Sequence, residues 1–173
     1  EIGKLPEKEF RIMIVKMIQN LKKQSGLTFD EVMNLAKQNI DTPYRVDVND
    51  QIFCTTENMA DAVRTYCKKN LPFSVVCAVV YLSIAEEYAK PAKQIEKLCP
   101  KKFDCIHTIG GGSKDELLSE LTAKISKKKV VAGPSEAASI GNILSQMLQK
   151  GELNDISDAR RCVMRSLEVK EYV

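Results

Sequence analysis

Three consecutive glycines, Gly110, Gly111 and Gly112, followed closely by Ser113 and Asp115, are the residues whose types and spacing could seat a ligand in this chain. Three glycines remove every Cβ from a turn, so another molecule can approach bare backbone. A helix N-terminus behind such a turn favours an anion or the polar edge of a ligand. That is the outline of a nucleotide site. The spacing is neither GxGxxG nor GxxxxGK followed by Ser or Thr, so neither the dinucleotide nor the P-loop fingerprint applies. A glycine-rich strand-to-helix turn also serves as a plain tight connection, and both readings stand at this point.

The elements that must hold the turn lie on either side of it. Cys105 to Ile109 is a short β-favouring run that stops at the glycines. Ser113 stands where a helix N-cap belongs, with Asp115 and Glu116 placing negative charge in the first helical turn. Val130 and Val131 form a second strand, turned by Gly133 and Pro134. Ser135 is then placed to cap a helix whose residues Ala138, Ile140, Ile143, Leu144, Met147 and Leu148 recur at helical spacing. Two strands with a helix between them predict a right-handed parallel βαβ unit.

Upstream the pattern is helical. Pro6 opens a helix carrying Phe10, Ile14, Met17, Ile18 and Leu21 on one stripe, and Gly26 ends it. Thr28 starts a second helix, Phe29 to Gln38; Thr56 caps a third, Glu57 to Lys69. Pro72 begins a long apolar helix that Pro91 is expected to kink or interrupt before Leu98. Asp47, Asn49 and Asp50 read as turn chemistry, because the ligand count and spacing of a calcium loop are missing. Downstream, Asp155 or Ser157 starts a last helix through Leu167. The expected organisation is one partial domain: a helical part over 1–102, a βαβα core over 103–150 and a C-terminal helix over 151–173. The chain starts at Glu1 rather than Met and enters a helix almost at once, which reads as a piece of something longer.

With 44% hydrophobic and 28% charged residues in 173, the composition is that of a soluble domain with a core of ordinary size. A net charge of +3 is too small to argue for nucleic acid, and Lys127 to Lys129 reads as a solvated loop. There is no signal peptide and no apolar run long enough for a bilayer, so a cytoplasmic protein without membrane contact is expected. Six cysteines without a CxxC pair, and a single histidine, make no zinc pattern and read as mostly buried thiols. Cys67 and Cys77 flank the Leu71-Pro72 break. Whether they pair stays open, since sequence separation does not give the Cα distance a disulfide needs.

Three strings narrow the reading: IHTIGGGS from Ile106, AGP-x-EA-x-x-x-GN from Ala132 to Asn142, and NM-x-x-A-x-x-x-YC from Asn58 to Cys67. With DVNDQIF before them, they make the chain from about Ile12 onward resemble the C-terminal part of the FGGY family of carbohydrate kinases, and within it the members that phosphorylate L-rhamnulose. The resemblance implies a helix-rich α/β fold, an incomplete ribonuclease-H-like (actin-like ATPase) domain. It implies ATP and Mg²⁺ bound between two domains in the intact protein, and γ-phosphoryl transfer to a sugar hydroxyl giving L-rhamnulose 1-phosphate. It places Gly110, Gly111 and Gly112 on the adenosine side of the nucleotide and Gln19 near ATP. Asp115 stands where the family usually has Asn, which replaces an amide donor by a carboxylate. Arg11 occupies a position where a substrate-contacting Asn is usual, and Lys16 one where Trp is common.

The resemblance begins after the strands that open the family's second domain and after its catalytic aspartate, and it leaves out the sugar-binding domain. No catalytic residue and no metal ligand is therefore expected here, and no turnover by this chain alone, because phosphoryl transfer needs both substrates, metal and base positioned together. The strand at Cys105–Ile109 is expected to keep a bare edge, through which two copies could pair as a homodimer. Two alternatives accompany this reading: a non-catalytic helical binding or assembly module derived from a sugar kinase, and a portion of another sugar kinase, acting on fuculose or xylulose.

Overall fold

The computed structural model describes residues 7–99 and 102–173, the side chains of 7–15 excepted. The chain divides into two compact units, Glu1–Lys93 and Gln94–Val173.

The first unit is helical. Helix α1 (Glu7–Ser25) buries Met17, Ile18 and Leu21, and Gly26 ends it at φ +69° with its N–H on the Lys22 carbonyl. Helix α2 (Phe29–Lys37) opens on a capping box. Thr28 Oγ1 accepts the Glu31 N–H at 3.3 Å, and the Glu31 carboxylate accepts the Thr28 N–H at 2.7 Å. In the Asp-rich loop Asp47 accepts the Asn49 N–H, and Asp50 caps α3 (Gln51–Thr55), a short helix where only a turn was expected. Helix α4 (Met59–Cys67) is capped by Asn58 and not by Thr56. Asn58 Oδ1 accepts the Asp61 N–H at 3.1 Å, while Thr56 supports the cap by accepting the Asn58 N–H. The Gln24 side chain joins α1 to this region, donating to the Glu57 carbonyl and accepting from the Ala60 N–H.

Helix α5 (Phe73–Leu98) is buried continuously from Val76 to Ala85, as its near-uniform apolarity predicts. Ser83 Oγ accepts the Val46 N–H at 3.0 Å, which fastens the Tyr44–Val48 segment onto it. Pro91 does not interrupt the helix. Proline removes a single N–H, and here good helix formers such as Ala92, Lys93, Gln94 and Glu96 follow it. Cys77 is fully buried and Cys67 half-buried, and both are free thiols.

The second unit begins inside α5 and not at 102. Glu96 explains the shift: its carboxylate accepts the Phe103 N–H at 2.9 Å and the Lys128 ammonium at 2.6 Å, so the last turns of α5 go with the sheet. Strands β1 (Cys105–Thr108) and β2 (Lys129–Ala132) pair in parallel, Cys105 opposite Lys129 and Thr108 opposite Ala132, with α6 (Glu116–Ser126) between them in sequence. This is the expected parallel βαβ arrangement. Leu117, Leu118, Leu121 and Ala123 of α6 are buried, as are Val130, Val131 and Ala132 of β2. After α7 (Ala137–Gln149) and α8 (Ile156–Ser166) the chain returns as β3 (Lys170–Tyr172), antiparallel to β2. The segment 151–173 is thus a helix followed by a strand, and not a helix alone. Three residues carry too short a pattern to be read from sequence. The sheet order β1-β2-β3 leaves β1 with an open edge among the described residues.

The apolar spacing of α7 does not end in burial: none of its residues is buried, and Ile143 is 58% exposed. No described helix is long and apolar enough to cross a membrane.

Candidate functional site

The site is built where the two parallel strands end. After Thr108 the backbone turns at Gly110 with φ +80° and ψ −165°, a combination essentially restricted to glycine. The turns that follow β1 and β2 are hydrogen-bonded to each other. The Gly133 N–H donates to the Thr108 carbonyl at 2.7 Å, and the Gly110 N–H to the Pro134 carbonyl at 3.3 Å. A Cβ on Gly133 would lie 3.4 Å from Ile109 Cγ2 and 3.4 Å from the Thr108 carbonyl oxygen, ordinary van der Waals contact where the two turns meet.

From Gly111 to Lys114 the chain winds as one turn of 3₁₀ helix. Ser113 closes it: both its N–H (3.0 Å) and its hydroxyl (2.7 Å) donate to the Gly110 carbonyl. Ser113 is therefore not the N-cap of α6. Because the 3₁₀ turn takes up the residues through Lys114, Asp115 is the first with the extended backbone an N-cap requires, φ −82° and ψ 97°. Its Oδ1 accepts the Leu118 N–H at 3.1 Å, and the residue is buried. Likewise Ser135 lies in a turn, and Glu136 holds the cap position of α7 without a side-chain cap bond.

Gly111 and Gly112 differ from Gly110. Neither has a positive φ, and a Cβ on either would meet nothing within 4 Å. Nothing in the backbone or among the described neighbours requires glycine at these two positions.

Beside this turn, at the carboxyl ends of β1 and β2, lies a cleft of 410 Å³, the place where open α/β sheets receive ligands. Ser113, Lys114 and Glu116 form one side, and segment 132–136 with Ile140 a second. Leu167, Glu168, Lys170 and Tyr172 form a third. Gly110, Gly111 and Gly112 adjoin the cleft through Ser113 but do not line it, and neither does Asp115, whose carboxylate serves the start of α6. Lys170 Nζ sits 2.6 Å from Glu116 and 3.4 Å from Glu168, and the Glu116 hydrogen bond raises the Lys170 pKa. Burial, then the Glu116 charge, raises the Tyr172 phenol. The buried hydroxyls of Thr108 and Tyr172 have no hydrogen-bond partner among the described residues.

The remaining residues singled out in the sequence lie in the first unit. Gln19 is exposed on α1. Lys16 is exposed too, and lines a separate cleft of 540 Å³ with Lys23, Gln24 and Phe53. The side chain of Arg11 is outside the described residues. Among the described residues there is no group of three or more His, Cys, Asp or Glu side chains that could hold a metal ion. The wall from Leu167 to Tyr172 is the part of the site that sequence reasoning missed. Its only signal is the spacing of Leu167, Val169 and the following β3, too brief to separate from a helix end.

Residues 15–149 match the FGGY family of carbohydrate kinases, C-terminal domain. A rhamnulokinase of Halalkalibacterium halodurans is 37% identical over 170 residues, covering 94% of this chain and 36% of that protein. Rhamnulokinases of Bacillus subtilis (32% over 163 residues) and Oceanobacillus iheyensis (35% over 168) cover 90% and 93% of the chain, and 34% and 36% of those proteins. The chain spans about a third of the length of the curated relatives it matches. With a glycine turn at the carboxyl ends of parallel strands, and a match over most of its length, the chain belongs to the FGGY family of carbohydrate kinases, in the region of the family's C-terminal domain.

Proposed function

We propose that this chain is the nucleotide-side portion of an ATP-dependent sugar kinase with a ribonuclease-H-like fold. In the intact cytoplasmic protein the reaction is transfer of the γ-phosphoryl group of ATP to L-rhamnulose, giving L-rhamnulose 1-phosphate. The chain contributes part of the ATP site and does not turn over alone. Mg²⁺ accompanies ATP in this reading, and no step is assigned to it here.

One observation carries the proposal. Gly111 and Gly112 are glycines that neither their backbone angles nor any described neighbour demands, beside a cleft at the carboxyl ends of parallel strands. Bare backbone in that place suits the close approach of a flat ligand from outside. The adenosine end is assigned to this turn.

The test is a titration with ATP, with and without Mg²⁺, followed by heat of binding and by melting temperature. A ligand that binds only the native state stabilises it by about 2.7 kcal/mol at a hundred times its Kd. For a chain of this size that is a rise of roughly 5–10 °C. The double variant Gly111→Ala, Gly112→Ala should melt at or slightly above the parent temperature and lose most of the ATP-induced rise. Gly110→Ala should melt lower without any ligand, since it forces a side chain into strained backbone. An ATP-induced rise undiminished in the double variant would take the glycines out of the site. No heat and no rise in the parent would remove the nucleotide reading itself.

We further propose that a second copy pairs through the edge of β1 that is open among the described residues. A molecular mass from light scattering that stays at one chain across concentrations rejects it.

A further inference from the structure

The cleft beside the glycine turn has a wall that lies beyond residues 15–149, the stretch that matches the family. Leu167, Glu168, Lys170 and Tyr172 reach it because β3 pairs with β2: Lys170 lies opposite Ala132 and Tyr172 opposite Val130. Side chains alternate along a strand, so Lys170 and Tyr172 share one face of the sheet and Glu171 points to the other. Ion pairs hold the strand on both faces, Lys170 to Glu116 at 2.6 Å and Lys129 to Glu171 at 3.0 Å.

The charges in the cleft say which end of a nucleotide suits it. Lys114 and Lys170 face Glu116, Glu136 and Glu168, one more negative charge than positive. Such a lining repels a triphosphate and suits a neutral group rich in hydroxyl donors, because carboxylates are acceptors only. Glu116 is tied to Lys170 at 2.6 Å, whereas Glu168 is 3.4 Å from that lysine with its side chain 79% exposed.

We infer that the segment Leu167–Tyr172 is one wall of the nucleotide site and that Glu168 accepts a hydrogen bond from a ribose hydroxyl. This rests on the nucleotide reading above and adds to it a residue that selects the sugar of the nucleotide. A carboxylate in this role binds a ribonucleotide more tightly than the analogue lacking the hydroxyl, by about tenfold or more for a charge-assisted hydrogen bond.

The experiment compares ATP with 2′-deoxy-ATP and 3′-deoxy-ATP by calorimetry on the parent chain, on Glu168→Ala and on Glu171→Ala. The last variant removes the same charge from the same segment on the opposite face. The parent is expected to prefer ATP over at least one deoxy analogue by about tenfold. Glu168→Ala should reduce that ratio to near one, and Glu171→Ala should keep it. A ratio unchanged in Glu168→Ala overturns the inference, and so does an equal loss in both variants, which would mark a general effect of charge. If ATP binds and the Gly111/Gly112 double variant abolishes binding while Glu168→Ala is without effect, the nucleotide reading stands and this inference falls. If the parent binds no ATP, both fall.

Discussion

Replacing Asp115 by alanine separates two roles that the sequence alone leaves merged, contact with a nucleotide and construction of the turn that would receive it. In the structure the carboxylate accepts the Leu118 N–H at 3.1 Å from a buried position at the N-terminus of α6, and it does not line the cleft. Loss of an N-cap acceptor costs about 0.5–2 kcal/mol. Loss of negative charge at a helix N-terminus adds about 0.3–1 kcal/mol. The helix so weakened supplies Leu117, Leu118 and Leu121 to the core of the second unit, so the cost is felt there. About 1–3 kcal/mol corresponds to a fall of roughly 3–10 °C in melting temperature at this chain length. Asparagine keeps the acceptor and gives up only the charge, so Asp115→Asn should fall by about a third of that or less. The assay is thermal melting by circular dichroism at pH 7, with hydrogen exchange at the Leu118 amide to locate the effect. Melting of Asp115→Ala within about 1 °C of the parent, with Leu118 protection unchanged, would refute the cap. ATP affinity gives the complementary result. Asp115→Asn should leave it unaltered, and a large change in affinity at an unchanged melting temperature would mean that Asp115 touches the nucleotide after all.

The Lys128 hydrogen bond, then the Phe103 N–H, hold the Glu96 carboxyl below its ordinary value of 4.5. A group whose folded pKa is depressed adds stability above its unfolded pKa and loses it as pH falls through the folded value. Glu96→Gln should therefore melt below the parent at pH 7, with the two curves converging as pH falls below the ordinary carboxyl value of 4.5; a gap that persists at acid pH would mean the effect is not ionic. Burial pushes the Cys77 thiol up to about 12, so a thiol reagent at neutral pH should label exposed Cys99 and spare Cys77 until denaturant is added. Equal labelling rates at the two sites in the native state would contradict the packing of α5.

Much of the architecture was legible because it is local. The Thr28 and Glu31 capping box, the stop at Gly26 and the continuous apolar run of α5 each depend on residues within a few positions of one another, and the structure shows each of them. The parallel βαβ unit was legible for the same reason, two β-favouring runs bounded by glycine turns with a helical pattern between. The departures arise where the deciding partner is a competing turn or a distant residue. Ser113 has the chemistry of an N-cap, but closing the 3₁₀ turn onto Gly110 passes that role to Asp115 two residues on. The boundary between the two units moved into α5 because Glu96 meets Phe103 and Lys128, the latter 32 positions away in the chain.

By itself, then, the sequence determined the helices other than α3, the two parallel strands, the glycine turn and the family, since all of these rest on short-range spacing and on strings of residue types. Only the tertiary structure decided which glycines are required by the backbone and which face open space. It alone left the apolar residues of α7 unburied and brought the C-terminal strand to the cleft. Periodicity reports which side chains share a face, but what that face meets is decided by contacts between segments far apart in the chain, here a strand of three residues pairing with one some forty positions earlier.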